Sequence, residues 1–347
     1  MSQINEYNLL IFKNTKNINF KKCFNNNIFK TYNKISLLAI PTLLLYIIIL
    51  LLKEKKYLSE KIQNYNNNFK VCLCTLGKKE NKYIKEFVEY YKNYGVDKIF
   101  LYDNNDLNGE RFEEKISNYI NIGFVEINNW RGMEKVQFKI MNNCYLNNYK
   151  KYDWLIFYDI DEFIFLKNYN NIKHFLSQSK FEKCGKIELN WVHRVNEDLL
   201  YYNNYKSLVE AFTEKEYNIK ENNSNFYPQV KSILRGHIPN ITINCLHRLT
   251  SQVEACDGFG RKSKIKGIRS LHPDYENYYI NHYFGKSLEE FIDKIKRGSA
   301  AIGKNEISIM AKINRYFEIY KITKEKLDYI EKETGMNLTK FRDKIKL

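Results

Sequence analysis

Asp159 and Asp161 are the residues of this sequence whose type and spacing most clearly indicate chemistry. They follow a short apolar and aromatic run, Trp154 to Tyr158, which predicts a strand buried on both faces of a parallel sheet. Unpaired carboxylates are costly to bury, so two at alternate positions of a strand end are expected to face one crevice. Paired oxygen ligands of this kind suit Mg²⁺ or Mn²⁺, which commonly accompanies a phosphate-bearing substrate. The alternative is a strand that ends in a solvated acidic turn.

The elements that must position this pair alternate between strand and helix patterns. The predicted order before the central strand is a strand at Lys70–Leu76, a helix at Tyr83–Tyr94, a strand at Asp97–Tyr102, a helix at Phe112–Tyr119, a strand at Phe124–Ile127 and a helix at Val136–Tyr149. Such alternation with short loops predicts an α/β fold, in which helices cover both faces of a parallel sheet. The aspartates would then lie at the carboxyl ends of the strands, where open α/β sheets bind ligands.

The pattern after Leu166 is less regular. The predicted elements are a helix beginning at Ile172–Ser177, strands at Ile187–Val192, Lys231–Leu234, Asn240–Leu246 and Tyr278–Phe284, and a helix at Ser287–Gly298. Ser287 and Glu290 form a capping box at the start of the last helix. Residues 213–226 predict a polar loop, and 253–267 a Gly-rich irregular segment. In the tail, the helical spacing of apolar residues predicts a further helix with Ile313, Tyr316, Phe317 and Tyr320 on one face.

An uncharged segment near the N-terminus predicts a membrane anchor. Residues 1–34 are a polar tail, and residues 35–52 form an apolar run of about 18 residues, which just reaches the length of a transmembrane helix. A cleaved signal peptide is the alternative, but the lead-in is long and no small-residue cleavage site follows. Basic residues flank both ends of the run, so the positive-inside rule does not set its orientation. Residues 53–68 are interpreted as a polar stem.

Composition excludes some classes of protein and leaves others open. The chain has 347 residues, enough for one large domain or two modest ones, and a formal net charge of +16. The lysines are spread along the chain and no nucleic-acid motif is present, which argues against a nucleic-acid partner. The sequence contains neither G-x-x-x-x-G-K-[ST] nor G-x-G-x-x-G, which argues against a phosphotransferase or nucleotidyltransferase with a Gly-rich phosphate loop.

The seven cysteines include no C-x-x-C pair of the kind that binds metals. Cys72 and Cys74 lie on one face of the first predicted strand, so we expect core thiols that are not bonded to each other. A disulfide or two among the cysteines that follow the apolar run is expected if the main domain is luminal. The pairing cannot be read from the sequence.

Four segments together resemble a known family. They are CTLGKKENKYIKEFVEYYKNYGVDKIFLYDNND, GFVEINNWRG, YDWLIFYDIDEFI and YYINHYFGKSLEEFIDKIKRG. They are similar to glycosyltransferase family 92, the former DUF23 group, over residues 69–300. The resemblance implies a single Rossmann-like catalytic domain of the GT-A type with a mixed central sheet. The anchor and the C-terminal helical extension, residues 301–347, lie outside it.

The resemblance also implies a nucleotide site. In that fold the loop after the first strand holds the nucleotide, which here points to Thr75, Lys78 and Glu80; the alternative for each is an ordinary solvated turn. Asp103, at the end of the second strand, would meet the uracil or ribose, unless it caps its own turn. Arg131 would reach a phosphate through its planar set of donors, unless it is an exposed loop residue.

The metal site implied by the resemblance contains Asp159, Asp161 and His282. Asp161 would bind the metal directly, and Asp159 would contact the sugar or ribose. His282 would be the third protein ligand, although a lone histidine in an aromatic strand is otherwise a core residue. Lys286 follows closely enough to touch a diphosphate.

The reaction implied is an inverting transfer of a sugar, galactose by resemblance, from a UDP-sugar to a glycan acceptor with Mn²⁺ or Mg²⁺. Inversion requires a carboxylate base, for which Asp257 and Glu254 are candidates; either could equally be a loop residue. Trp191 is a candidate platform for the acceptor sugar or a core residue. A catalytically inactive, glycosyltransferase-like binding protein is the alternative function. The expected location is a single-pass membrane protein, type II, in the Golgi or secretory pathway.

Overall fold

Twelve strands are described in the computed structural model, which covers residues 46–54, 69–215, 227–298 and 306–345. They are β1 (Val71–Gly77), β2 (Lys98–Asp103), β3 (Val125–Asn129), β4 (Trp154–Phe157), β5 (Glu162–Leu166), β6 (Lys186–Val195), β7 (Glu214–Lys215), β8 (Val230–Arg235), β9 (Ala255–Cys256), β10 (Ile265–Lys266), β11 (Arg269–Ser270) and β12 (Tyr278–His282). Most of them form one mixed sheet in the order β3-β2-β1-β4-β8-β6-β12-β5.

The helices from residue 69 onward flank this sheet and extend the chain at its C-terminus. They are α1 (Ile84–Asn93), α2 (Glu113–Asn121), α3 (Gln137–Asn148), α4 (Ile172–Leu176), α5 (Leu208–Ala211), α6 (Leu288–Lys296), α7 (Glu306–Ile319), α8 (Lys324–Thr334) and α9 (Thr339–Arg342). A single 3₁₀ turn is described at Ser179–Phe181.

The first half of the sheet is parallel, as the strand and helix alternation predicts. β1 pairs in parallel with β2 and β4, and β2 pairs in parallel with β3. Because side chains alternate along a strand, Val71 and Leu73 join the apolar cluster on one face and Cys72 joins the cluster on the other. β1 is therefore buried on both faces, and its end opens at the same edge as that of β4.

The second half makes the sheet mixed and brings distant segments beside the Asp159–Asp161 turn. β8 is antiparallel to both β4 and β6, whereas β12 is parallel to β6 and antiparallel to β5. In the last pairing His282 lies directly opposite Glu162. The mixed central sheet of the expected α/β fold is thus confirmed.

The predicted strand at Asn240–Leu246 is wrong. This segment is irregular, and Asn240 has a left-handed backbone with φ of 61°. The amide of Thr242 donates to the Gln252 side chain, and that of Ile243 donates to the Asn142 side chain. Side chains thus satisfy the backbone donors that a neighbouring strand would otherwise pair, so the apolar alternation does not produce a strand here.

Two disulfides join segments that are far apart in the sequence. Cys74 in β1 is bonded to Cys144 in α3, and Cys184 is bonded to Cys256 in β9. Cys72 and Cys74 are not bonded to each other, as predicted, but Cys74 is not a free core thiol. Strand β1 and helix α3 pack face to face, which brings the two sulfurs together; this proximity is not visible in the sequence.

The C-terminal helices pack on the helix that follows β12. Ile313, Tyr316, Phe317 and Tyr320 are all buried in an apolar cluster that also contains Phe291 of α6. The predicted apolar face of the tail is therefore the face that contacts the rest of the fold.

Several predicted segments fall partly or wholly outside the described residues. These are the tail 1–34, residues 35–45 of the apolar run, 55–68 of the stem, 216–226 of the polar loop, 299–300 at the end of the predicted catalytic domain, and 301–305 and 346–347 of the C-terminal extension. Residues 46–54 are helical, and their large apolar side chains are exposed. No helix within the described ranges is both long and apolar enough to span a membrane.

Candidate active site

A cavity of about 370 Å³ opens at the carboxyl ends of the first parallel strands. Its wall includes Leu76 at the end of β1, Asn104 after β2, and Asp159 and Asp161 after β4. Both aspartates face this space, although they lie in a turn between β4 and β5 and not on a continuous strand. The position agrees with the edge at which open α/β sheets bind ligands.

Three potential metal-ligating side chains meet beside this cavity. Asp161, Glu162 and His282 each offer one ligand atom, and these atoms lie within 4.8 Å of one another. All three residues are buried. The antiparallel register of β5 and β12 causes the meeting, because it sets His282 opposite Glu162.

Asp161 is held as a carboxylate by a neighbouring cation. Its Oδ2 accepts a hydrogen bond of 2.7 Å from Lys294 Nζ, and its Oδ1 lies 3.7 Å from His282 Nε2. Burial alone would raise the pKa of Asp161, but Lys294, His282 and Lys286 together outweigh burial and keep that pKa well below its usual range. Oδ1 is left facing the histidine.

Glu162 is the most buried carboxyl group of the cluster. Its Oε2 accepts from the Asp159 amide at 3.1 Å, whereas Oε1 lies 3.4 Å from Lys231 Nζ and accepts no hydrogen bond from the described residues. Burial raises the pKa of Glu162 well above its usual range, although Lys231 opposes the shift.

His282 is packed against an aromatic ring in the wall. The centre of its ring lies 4.1 Å from that of Trp191, which also lines the cavity. Burial lowers the pKa of His282, although Asp161 raises it in part, and a lowered pKa favours the neutral imidazole that can ligate a metal. Its Nδ1 has no hydrogen-bond partner in the described part of the chain.

Asp159 differs from Asp161 because its side chain remains 40% exposed. Lys231 donates to it at 2.8 Å from the neighbouring strand β8. Burial alone would lower the pKa of Lys231, but Asp159 and Glu162 raise it above its ordinary value, so this lysine is a fixed cation beside Asp159 and Glu162.

The donor atoms of this cluster fit a divalent metal ion. Asp161, a neutral imidazole and Glu162, whose carboxyl group would ionise beside a bound cation, match the ligands that Mn²⁺ and Mg²⁺ sites use, with carboxylate oxygens as the preferred type. Two buried atoms of the cluster, Glu162 Oε1 and His282 Nδ1, form no hydrogen bond with any described residue. Lys231 and Lys294 balance the charge of the carboxylates.

Two of the three residues predicted in the loop after β1 face the cavity. Lys78 and Glu80 line it. Lys78 pairs with Asp106 at 2.7 Å, and Glu80 pairs with Arg297 at 2.6 Å. Thr75 instead lies in β1 and lines a small neighbouring space of about 20 Å³.

Lys286 lies behind the cavity wall. Its Nζ contacts Glu80 at 2.9 Å and lies 3.8 Å from the centre of the Tyr83 ring. It lines an adjoining cavity of about 500 Å³, which shares Glu80, Lys294 and Arg297 with the first.

Asp103 and Arg131 bind each other, which differs from the prediction that each contacts the nucleotide. Arg131 Nη1 donates to Asp103 at 2.6 Å and to the carbonyl oxygen of Glu110, and Nη2 donates to the carbonyl oxygens of Asp106 and Gly109. Asp103 also accepts from its own turn, at the Asn105 amide. Both side chains are thus used to fold the loop after β2, and neither lines the cavity.

Neither candidate for the catalytic base lies at this cavity. Asp257 accepts from Arg261 at 2.8 Å and from two amides of its own loop, and it lines a separate cavity of about 220 Å³. Glu254 is exposed on the segment that pairs with the start of β6. Both residues stabilise local loop structure, so the fold gives no support to their predicted role.

Several wall residues were missed by sequence reasoning. They are Lys231, His247, Lys294, Arg297, Lys312 and Arg315, to which Glu162 of the adjacent cluster is added. A lysine that is buried in a predicted strand, such as Lys231, needs an acidic partner. The position of Lys231 in an apolar strand could therefore have indicated a nearby buried carboxylate. The cations of α6 and α7 lie on helices whose polar faces looked solvated, so the sequence offered no comparable signal for them.

The family model of glycosyltransferase family 92 matches residues 67–298. A glycosyltransferase family 92 protein from Ricinus communis is 29% identical over 230 residues, which are 65% of this chain and 37% of that protein. A second one from Arabidopsis thaliana is 26% identical over 236 residues, again 65% of this chain and 37% of that protein. The chain thus matches only about a third of the length of these curated relatives.

Solved structures give a weaker likeness. S. aureus TarS 1-349 in complex with UDP-GlcNAc has a TM-score of 0.36 and 13% identity, covering 77% of this chain and 80% of that chain. Another structure of S. aureus TarS has a TM-score of 0.33 and 12% identity, covering 73% and 44%. Both TM-scores lie well below 0.5, so the likeness is distant.

Proposed function

This chain belongs to glycosyltransferase family 92, and we propose that it transfers a sugar from a UDP-sugar to a hydroxyl group of a glycan acceptor, with inversion. The observation that carries the proposal is the buried cluster of Asp161, Glu162 and His282 beside a cavity at the carboxyl ends of the parallel strands. Such a cluster suits a substrate that arrives with a metal ion and phosphate groups.

The charge of the cavity wall supports an anionic donor. Lys78, Lys231, Lys294 and Arg297 all line the cavity and are each paired with a carboxylate. Cations held in fixed positions can stabilise negative charge that develops on a leaving group without reorganising. In this proposal they orient the diphosphate of the donor and favour departure of UDP.

We propose Mn²⁺ or Mg²⁺ as the metal, held by Asp161, His282 and Glu162. A divalent ion bound there would neutralise charge on the diphosphate of the leaving group. Lys294 keeps Asp161 ionised, and Trp191 fixes the ring of His282 by packing against it. Asp159, which is more exposed than Asp161, remains the residue proposed to contact the sugar or ribose.

The proposed donor sugar is galactose, and its support is the resemblance to family 92. Trp191 lines the cavity and offers an aromatic surface on which a sugar ring can pack. Comparing UDP-galactose with UDP-glucose and UDP-N-acetyl sugars tests the choice, because glucose differs from galactose only in the configuration at C4 and the N-acetyl sugars carry an acetamido group at C2.

We also propose that residues 35–52 anchor the protein as a single-pass, type II membrane protein of the secretory pathway. The support is the uncharged apolar run in the sequence. Full-length protein should remain in the membrane pellet after extraction at high pH, whereas a chain lacking residues 1–52 should be released. Release of the full-length chain would contradict the anchor.

The decisive experiment measures UDP release by the purified full-length chain. Each of a panel of UDP-sugars is supplied with Mn²⁺, with and without EDTA, to the wild type and to Asp161→Asn. We expect one donor to be turned over in a metal-dependent manner, and Asp161→Asn to reduce the rate by about 100-fold or more. Asp198→Asn, the same change at an exposed aspartate away from the cavity, is the matched control.

Absence of both turnover and UDP binding in a folded wild-type sample would contradict the proposal. The alternative, an inactive glycosyltransferase-like binding protein, would then be favoured. Turnover that survives both EDTA and Asp161→Asn would show instead that the reaction does not depend on this cluster.

A further inference from the structure

Helix α7, the first described helix of the C-terminal extension, contributes two cations to the wall of the cavity of about 370 Å³ that contains Asp159 and Asp161. In total, six cationic side chains and four carboxylates line this space. Five of the cations have a carboxylate partner within 4 Å: Lys78, Lys231, Lys294, Arg297 and Arg315. Lys312 is the sixth, and no carboxylate of the described residues pairs with it.

Lys312 is held in place by backbone groups. Its Nζ donates to the carbonyl oxygens of Lys294 at 3.2 Å and Gly298 at 3.0 Å, at the end of α6. An ammonium has three donors, so one remains for a further acceptor. Burial, together with the positive charges of Lys294 and Arg297, lowers the pKa of Lys312 to about 8.

Arg315 follows Lys312 by three residues and therefore lies on the same side of α7. Its Nη1 pairs with Glu318 at 2.7 Å, and its Nη2 contacts His193 at 2.6 Å. An adjacent side of the helix carries Ile313 and Tyr316, which are buried in the apolar cluster that contains Phe291 of α6. Packing of the apolar face thus turns the two cations towards the cavity.

We propose that Lys312 and Arg315 form an anion subsite that binds the phosphate groups of the nucleotide donor. The subsite rests on the proposed function and assigns part of donor recognition to α7, which lies beyond residues 67–298 matched by the family model. A cation that is fixed, partly desolvated and without a carboxylate partner gains a strong, charge-assisted hydrogen bond from a phosphate oxygen.

A purely structural role for Lys312 makes a different prediction. A lysine that donates to the last carbonyl oxygens of a helix stabilises that helix through its dipole and unpaired acceptors. Removing it would then lower the stability of the fold and leave the affinity for UDP unchanged. The two roles are separated by measuring thermal unfolding and ligand affinity on the same variants.

The test is calorimetric titration of the full-length chain with UDP and with uridine, in the presence of Mn²⁺. Lys312→Met should weaken UDP binding on the order of tenfold and leave uridine binding unchanged. Arg315→Met should weaken UDP binding less, since Glu318 already neutralises part of its charge. Lys324→Met removes an exposed lysine at the start of α8 and is the matched control.

The pH dependence of binding gives a readout that a structural role would not change. The charged groups that act on Lys312 are Lys294 on α6 and Arg297 just beyond the end of α6, and Arg315 lines the same cavity from its own helix. UDP binding to the wild type should weaken as the pH rises through about 8, because only the ammonium form attracts the phosphate. Lys312→Arg should keep the affinity and lose this dependence, since arginine stays charged.

Binding of inorganic pyrophosphate, measured in the same way, distinguishes an error in the proposed subsite from an error in the proposed function. If the wild type binds UDP and Lys312→Met binds it equally well, the subsite is wrong and the proposed function stands. If the wild type binds pyrophosphate through Lys312 but does not bind UDP, the anion subsite stands and the proposed function fails. Binding of neither probe overturns both.

Discussion

At the scale of single residues, Arg131 illustrates how a chemically suitable side chain can serve the fold. Its terminal nitrogens donate to Asp103 and to carbonyl oxygens of the loop at residues 106–110, and its side chain is only 7% exposed. Asp103 is equally buried. The pair closes the loop after β2, and Asn104 in this loop lines the cavity. We therefore expect any influence of Arg131 on ligand binding to be indirect.

Replacing Arg131 with methionine should destabilise the protein. Removal of one partner leaves Asp103 buried without a counter-charge, which we expect to lower the free energy of unfolding by about 3–5 kcal/mol. Urea unfolding followed by circular dichroism measures this change. Arg342→Met, which breaks ion pairs at the surface, should cost less than about 1 kcal/mol. If Arg131→Met kept its stability but lost affinity for UDP, the result would support the original prediction that Arg131 contacts a phosphate.

At the scale of elements, helix α6 begins at a capping box that can be read from the sequence and ends beside the cavity. Its N-terminus carries the predicted capping box of Ser287 and Glu290, which fixes where the helix begins. Its later turns present Lys294 to Asp161, and Arg297 just beyond its end pairs with Glu80. The start of the helix thus sets the position of two cations of the cavity wall.

Glu290 should make stability depend on pH. Burial raises the pKa of Glu290 to about 7, although Lys82 opposes the shift. A carboxyl group with a raised pKa stays protonated in the folded state while the unfolded chain ionises, so stability falls as the pH rises towards about 7. We expect Glu290→Gln to remove this loss, which is of order 2 kcal/mol between about pH 5 and about pH 8.

The free energy of unfolding at those two pH values, from urea titrations, tests the role of Glu290. Glu325→Gln, a change at an exposed carboxylate in the first turn of α8, should leave the pH dependence as it is in the wild type. An equally steep dependence in Glu290→Gln would assign it to another group.

At the scale of the whole molecule, each disulfide joins two segments that are distant in the sequence, one bridge in the first half of the fold and one in the second. Cys74 and Cys144 are 70 residues apart, and Cys184 and Cys256 are 72 apart. In the chain-entropy account, closing loops of this length restricts the unfolded state more than closing short ones. The bridges should therefore contribute to stability without lying in the cavity wall.

Replacing both Cys74 and Cys144 with alanine should lower the free energy of unfolding by about 2–5 kcal/mol, and reductant should have less effect on this variant than on the wild type. Thermal unfolding with and without dithiothreitol measures both effects. Cys72→Ala changes the adjacent free thiol and should leave the response to reductant unchanged. Reaction of Cys74 and Cys144 with a thiol reagent in unreduced, unfolded protein would show that the bridge does not form.

The sequence by itself determined the features that depend on neighbouring residues. The buried run at β4, the alternation of strands and helices up to that point, the turn with Asp159 and Asp161, and the capping box of α6 were all predictable. The physical reason is that burial patterns with a period of 2 or 3.6 residues, and hydrogen bonds to helix ends, act over a few residues. These local preferences fix which elements form and place the aspartates at a strand end.

Only the tertiary structure decided which distant side chains meet. The register of β5 and β12 sets His282 opposite Glu162, and the antiparallel insertion of β8 places Lys231 beneath Asp159. The same chemistry that suggested ligand contacts for Asp103 and Arg131 was satisfied by their pairing with each other. Strand order and register are set by packing of the whole core, so a carboxylate or cation acquires its partner only when the chain has folded.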